Sequence, residues 1–247
     1  MINTHFYYLL VDVLCVVFPF LLSFHKKMAF FKKWRALGIA TILMMTVFIP
    51  WDILFTHLGV WEFNSNYISG FSIVNLPVEE WLFFICIPYS CLFTHEVLKY
   101  YFPKQPLEKS AKYISVFYII IGILFAITHL EHYYTLSTSL VATFLLFMHT
   151  FIWKSKYMGW FHLAWSILLI PFYISNGVLT GLEFWNYPLI NLQPESISDQ
   201  IVWYNNSHNL GIRIWSVPLD DFFYGMAMVL MTLGWFEKFS AQKKASQ

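Results

Sequence analysis

The sequence predicts an all-α integral membrane protein of seven transmembrane helices, and three observations predict it. The 247 residues are 58% hydrophobic, 21% aromatic and only 12% charged, with a mean hydropathy of +0.57. A soluble domain carries about 25% charged residues, so an ordinary water-facing surface is excluded. Seven apolar runs have membrane-crossing length, at about 5–24, 37–57, 76–98, 113–130, 134–153, 159–181 and 214–236. Finally, fourteen of the fifteen basic residues fall on alternate connections between those runs, Arg213 alone lying on the other side.

Each element has its own warrant. No Lys or Arg precedes the first run and no small-residue cleavage site follows it, so it reads as an anchor and not as a leader. Lys26, Lys27, Lys32, Lys33 and Arg35 follow run one; Lys99, Lys104, Lys109 and Lys112 follow run three. Lys154 and Lys156 follow run five, and Lys238, Lys243 and Lys244 follow run seven. The positive-inside rule then sets the N-terminus outside and the C-terminus in the cytoplasm, in a multi-pass protein of the cell membrane. The near balance of 15 basic and 14 acidic residues leaves no footprint for nucleic acid. Cys15, Cys86 and Cys91 sit in apolar runs without CxxC spacing, and His57, His95, His149 and His162 show no ligand spacing. Neither a disulfide framework, a metal site nor a cofactor is expected.

The chain repeats itself. Residues 49–63 align without gaps to 170–184, six of fifteen positions matching, and NLPVEEWLFF (75–84) matches SVPLDDFFYG (216–225) in its proline, one aliphatic and two acids. This predicts a single membrane domain, 1–247, built from a half-repeat at 1–105, a connector span at 113–130 and a second half-repeat at 134–240. Spans one to three correspond to five to seven, and an offset of four spans preserves membrane direction, so the duplication is parallel.

Carboxylates in hydrocarbon are costly and are functional candidates by default. Glu79 and Glu80 are placed about one turn inside span three, Asp220 and Asp221 at a similar depth in span seven, with Asp12 and Asp52 in the same outer layer. Pro77 and Pro218 are expected at early helical positions, where a missing N–H costs little. Neighbouring residues project about 100° apart on a helix, so one acid of each pair should face the centre. The alternative is that the pairs are helix-end charges at headgroup level. Asp52 and Asp12 also fit a structural role between helices, and Arg213 that of a counter-ion or headgroup contact.

Several chemistries fail. A retinal Schiff base needs a membrane lysine, and span seven has none. Prenyl transfer would need a third acid at DDxxD spacing and basic residues for a diphosphate, and no Gly-rich dinucleotide fingerprint is present. What fits is proton transfer to or from a hydrophobic molecule, with a proton-coupled transporter or a binding protein for a hydrophobic ligand as the alternative.

Pro77-Val78-Glu79-Glu80 and Pro218-Leu219-Asp220-Asp221, with WDILFTHLGVWEFN (51–64), GFSIVNLPVEEWLFF (70–84) and LGIRIWSVPLDDFFYG (210–225), resemble the membrane lycopene cyclases, in the form that fuses both halves. The second motif reads DD where many relatives have an E. The resemblance implies a non-redox isomerase or intramolecular lyase that needs no cofactor. Its substrate would be the carotenoid lycopene, whose acyclic ends close to rings, β above all, giving γ- and β-carotene. It also implies Glu79 or Glu80 and Asp220 or Asp221 as the acid and base, Asp52 as a second-tier catalytic candidate, and Pro77 and Pro218 as structural parts of the motif. Trp81, Phe83, Phe84, Trp215, Phe222, Phe223 and Tyr224 flank the motifs as candidates for stabilising a carbocation, which an aromatic face does by about 0.5–2 kcal/mol.

Overall fold

The computed structural model describes residues 4–245, with side chains up to residue 241; the side chains of Lys243 and Lys244, two members of the basic pattern, lie outside the described residues. Seven α-helices follow one another: α1 (Tyr7–Leu22), α2 (Trp34–His57), α3 (Val78–Tyr101), α4 (Ala111–Thr128), α5 (Tyr133–Phe147), α6 (Met158–Thr180) and α7 (Asp220–Ala245). Among the described residues, six segments are long and apolar enough to cross a membrane: Thr4–Leu22, Phe30–His57, Val78–Tyr101, Ala111–Thr128, Tyr133–Ile152 and Met158–Thr180. Their outward faces are apolar, as at Phe18, Ile120 and Ile170, which are 69%, 60% and 69% exposed.

The middle of the bundle is α7. Met226, Ala227, Met228, Val229, Leu230, Leu233 and Phe236 are all buried, chiefly against α2 and α5. A helix buried all round must be apolar all round, and between Phe222 and Phe236 this one carries no charge. At its far end Lys33 pairs with Glu96, and Lys99 with Glu237, tying the start of α2 to the ends of α3 and α7.

The other end of the bundle is covered by short strands: β1 (Trp61–Phe63), β2 (Ser72–Ile73), β3 (Leu76–Pro77), β4 (Ile190–Asn191), β5 (Val202–Tyr204), β6 (Arg213–Ile214) and β7 (Val217–Pro218). β1 pairs antiparallel with β5, Glu62 opposite Trp203. β2–β3 and β6–β7 are tight hairpins in the same register, Ser72 opposite Pro77 and Arg213 opposite Pro218, with β4 added to β6.

These hairpins correct two sequence expectations. The third and seventh helices begin at residues 78 and 220, not 76 and 214, because the backbone just before each is spent on a strand. Pro77 and Pro218 are therefore not early helical residues. Each closes the last strand of a hairpin, and Pro77 takes extended dihedrals (φ −61°, ψ 151°) as the N-cap of α3. A proline suits that place because its nitrogen has no hydrogen to donate, while the following Val78 and Leu219 amides do the bonding, to the carbonyls of Phe71 (2.9 Å) and Ile212 (3.0 Å). The turn residues Val74 (φ 61°) and Trp215 (φ 54°) both adopt left-handed backbone, a strained conformation for a side chain branched at Cβ such as valine.

Candidate active site

Helix periodicity and the hairpins divide the paired acids. Glu79 and Glu80 are the second and third residues of α3, Asp220 and Asp221 the first and second of α7. All four are in a first helical turn, yet they are only 0%, 8%, 1% and 4% exposed. The covering strands are why these helix-end positions are buried.

Within each pair the two acids do different things. Glu79 Oε1 accepts a hydrogen bond from the backbone N–H of Ser69 (2.7 Å), and Asp220 Oδ2 accepts one from Leu210 N–H (3.2 Å). Both therefore anchor the chain entering a hairpin. Asp220 Oδ1 also accepts from the Thr135 hydroxyl (2.5 Å), whereas the second oxygen of Glu79 has no partner. Glu80 and Asp221 turn the other way. The Tyr8 hydroxyl on α1 donates to Glu80 Oε2 at 2.5 Å, and the Tyr134 hydroxyl on α5 donates to Asp221 Oδ1 at 2.5 Å. A second hydroxyl, that of Tyr204 on β5, reaches Asp221 Oδ2 at 3.3 Å.

Glu80, Asp221 and Asp52 line one cavity of about 130 Å³. Along α3 the lining residues are Glu80, Phe83, Ile87, Ser90 and Cys91, and along α7 they are Asp221, Tyr224, Gly225, Met228 and Val229. Both series step by three, four and seven, as one face of a helix requires. Trp61 and Phe63 of β1 and Val202 and Tyr204 of β5 form its roof, and Trp165, Leu168 and Phe172 of α6 its side. Tyr224 lies in an aromatic cluster, its ring centroid 5.2 Å from those of both Phe48 and Trp51.

Asp12, one turn beyond Tyr8 on α1, is 1% exposed, and neither carboxyl oxygen has a hydrogen-bond partner. Arg213 is 1% exposed, donating to the Ser216 carbonyl (2.8 Å) and Asn206 Oδ1 (2.7 Å), with its guanidinium 5.6 Å from the Tyr204 ring centre. A headgroup contact is thereby excluded for it. Burial lowers the Arg213 pKa from its ordinary value, an effect that the charge of Asp221 opposes. Burial, reinforced by the Asp221 charge, holds the Tyr204 hydroxyl well above the usual tyrosine range, so it remains a donor. A separate group of acids, Glu96 and Glu237 beside His95 at the other end of the bundle, already has the Lys33 and Lys99 ammonium groups on its oxygens.

Of the aromatic residues that flank the motifs, Phe83 and Tyr224 line the cavity. Trp81, Phe84, Trp215, Phe222 and Phe223 do not line the cavity. Phe84 is fully buried with its ring centroid 6.3 Å from that of Phe48, Trp215 packs on Phe184, Phe222 on Tyr118 and Phe223 on Phe125. Trp81 and Phe222 directly follow an acid and so point about 100° away from it. Sequence reasoning missed Tyr8 and Tyr134. The signal was present as Tyr7-Tyr8 and Tyr133-Tyr134, each opening the first helix of a predicted half.

Comparison with curated proteins and with solved structures gave no match. The profile described as lycopene cyclase matches in two stretches, residues 5–98 and 131–239, which together hold every acid of the cavity and all three tyrosine donors. On that match the chain belongs to the lycopene cyclase family.

Proposed function

We propose that this chain closes the acyclic ends of lycopene to rings by acid–base catalysis, with Glu80 as proton donor and Asp221 as base. The observation that carries the assignment is the pair of tyrosine-held carboxyls, Tyr8–Glu80 and Tyr134–Asp221, on one aromatic-walled cavity. Asp221 receives two hydroxyl donors and feels the positive charge of Arg213, which favour its carboxylate against the opposing charge of the adjacent Asp220. Glu80 receives one donor and has Asp12 and Asp52 as its charge neighbours, an environment suited to a carboxyl that carries the proton.

Transfer of the Glu80 proton to the terminal C=C leaves a tertiary carbocation. The neighbouring C=C attacks it, forming the ring bond and moving the positive charge into the ring. Loss of a ring proton to Asp221 restores a double bond. Atoms and electrons balance without a redox partner, and the product is an isomer of the substrate. The β ring, giving γ-carotene after one closure and β-carotene after two, rests on the resemblance to the family. The faces of Trp61 and Trp165 join those of Phe83 and Tyr224 as the groups able to stabilise the cation. Asp52 serves as the third cavity carboxyl, while Glu79 and Asp220 hold the hairpins in place.

The architecture we infer has seven membrane spans, α7 being the seventh, with the N-terminus outside and the C-terminus in the cytoplasm of a cell-membrane protein. A parallel duplication is supported by hydrogen bonds that recur 141 residues apart: Ser69 to Glu79 as Leu210 to Asp220, and Val78 to Phe71 as Leu219 to Ile212. The test is carotenoid chromatography of lycopene-accumulating cells expressing the chain, beside Glu80→Gln and Asp221→Asn variants. Cyclic carotene that disappears in both variants is the expected result. Unchanged lycopene despite verified membrane insertion overturns the reading, and proton-coupled transport of a hydrophobic ligand is then the next to test.

A further inference from the structure

The cavity is small for a carotenoid. Its volume is about 130 Å³, and an engineered apolar cavity of roughly 150 Å³ takes a single benzene. It therefore fits one ring-sized end of the substrate and leaves the remainder of the polyene outside. The roof of β1 and β5 closes the end of the bundle above it, so the chain has to leave sideways.

One seam offers that exit. Pro171, near the middle of α6, lines the cavity and is also exposed on the surface of the bundle. Cys15 of α1 and Ser175 of α6 line the cavity as well, facing each other across the seam. The Ser175 hydroxyl is itself turned back onto the Pro171 carbonyl (2.9 Å). While α1 packs extensively on α3 and is latched to it by Ser90 Oγ donating to the Cys15 carbonyl (2.9 Å), it touches α6 only sparingly. Pro171 cannot donate a hydrogen bond to the Ile167 carbonyl, which weakens α6 at this level. The outer surface around the seam is hydrocarbon: Phe18 and Ile170 are both 69% exposed.

We propose that the α1–α6 seam at Cys15, Pro171 and Ser175 is a lateral portal that admits one end of a linear polyene from the hydrocarbon, the rest of the chain staying in the bilayer. The proposal rests on the cyclase reading above.

The experiment uses the full-length Ser175→Cys protein in lycopene-loaded vesicles, oxidised so that the new thiol bridges to Cys15, with the bridge verified by mass spectrometry. Bridging is expected to lower conversion at least about tenfold, with recovery on reduction. The Cys15→Ala, Ser175→Cys control is expected to ignore the oxidant. A bridged protein that converts at the reduced rate overturns the portal. No conversion by the wild type counts instead against the cyclase reading. Should the bridge not form, Cys15→Trp carries the test, beside Ile123→Trp on the lipid-facing side of α4. A folded Cys15→Trp protein that matches Ile123→Trp in conversion overturns the portal; a selective loss of at least about tenfold upholds it.

Discussion

The hydroxyl of Tyr8 lies 2.5 Å from Glu80 Oε2, a buried contact between α1 and α3 across 72 residues of chain. With one oxygen held in this way, the other is left to face the cavity. Tyr8→Phe removes the donor and keeps the ring. The expected result is a fall in kcat of about 10- to 100-fold, with stability reduced by about 1–2 kcal/mol. Initial rates of lycopene loss in vesicles, beside a thermal unfolding curve, check both.

Asp221 has two donors of unequal quality, Tyr134 at 2.5 Å and Tyr204 at 3.3 Å. Tyr134→Phe is expected to cost more activity than Tyr204→Phe, by about fivefold or more, because a hydrogen bond weakens with length. A larger loss in Tyr204→Phe would place the functional donor on β5 instead.

The division of each acid pair predicts two phenotypes. Glu80→Gln and Asp221→Asn should insert and unfold normally but form no cyclic product. Glu79→Gln and Asp220→Asn should keep measurable cyclisation while losing about 1–3 kcal/mol of stability, as buried backbone N–H groups lose a charged acceptor. Product chromatography and thermal unfolding on the same four preparations separate the classes.

Tyr204 adds a pH prediction. Its hydroxyl is held well above the ordinary value in the folded protein, so its contribution to stability is present below about pH 10 and is lost only as pH rises further. Between pH 6 and 9 the wild type and Tyr204→Phe are expected to differ in rate but not in the shape of the pH–rate curve. A change in shape within that range would assign Tyr204 a titrating role.

At the opposite end of the bundle, Glu96→Gln removes the carboxylate shared by Lys33 and Lys99. The two lysine side chains are 40% and 27% exposed, so water softens the loss to about 1 kcal/mol. The melting temperature should fall by about 2–4 °C with cyclisation intact.

Much of this was legible from sequence because it depends on local rules. Apolar length marked the helices, and the duplicated Pro-x-acid-acid placed both carboxyl pairs at one end. Their depth was misjudged because the hairpins at 72–77 and 213–218 contain no Gly-rich turn. They turn through Val74 and Trp215, residues that give no turn signal. Helical geometry required one acid of each pair to face inward, but which one depends on where Tyr8 and Tyr134 stand, and that is tertiary information. The roof residues Trp61 and Tyr204 could not be paired from sequence at all, since β1 and β5 are separated by more than a hundred residues of irregular spacing.

The placement of the two tyrosines has a consequence for biogenesis. As the chain emerges from the ribosome, α1 to α3 exist before any residue of α5 to α7 has been made, and Glu80 already has Tyr8 within its own stretch. Asp221 likewise finds Tyr134 within the later one. Neither newly made half waits on the other for the partner of its cavity carboxyl, so the joining step has only to bring apolar helix faces together and knit β1 to β5. With the helices spanning the membrane as proposed, this arrangement would spare Glu80 and Asp221 a stage alone in lipid, where a carboxylate is most costly.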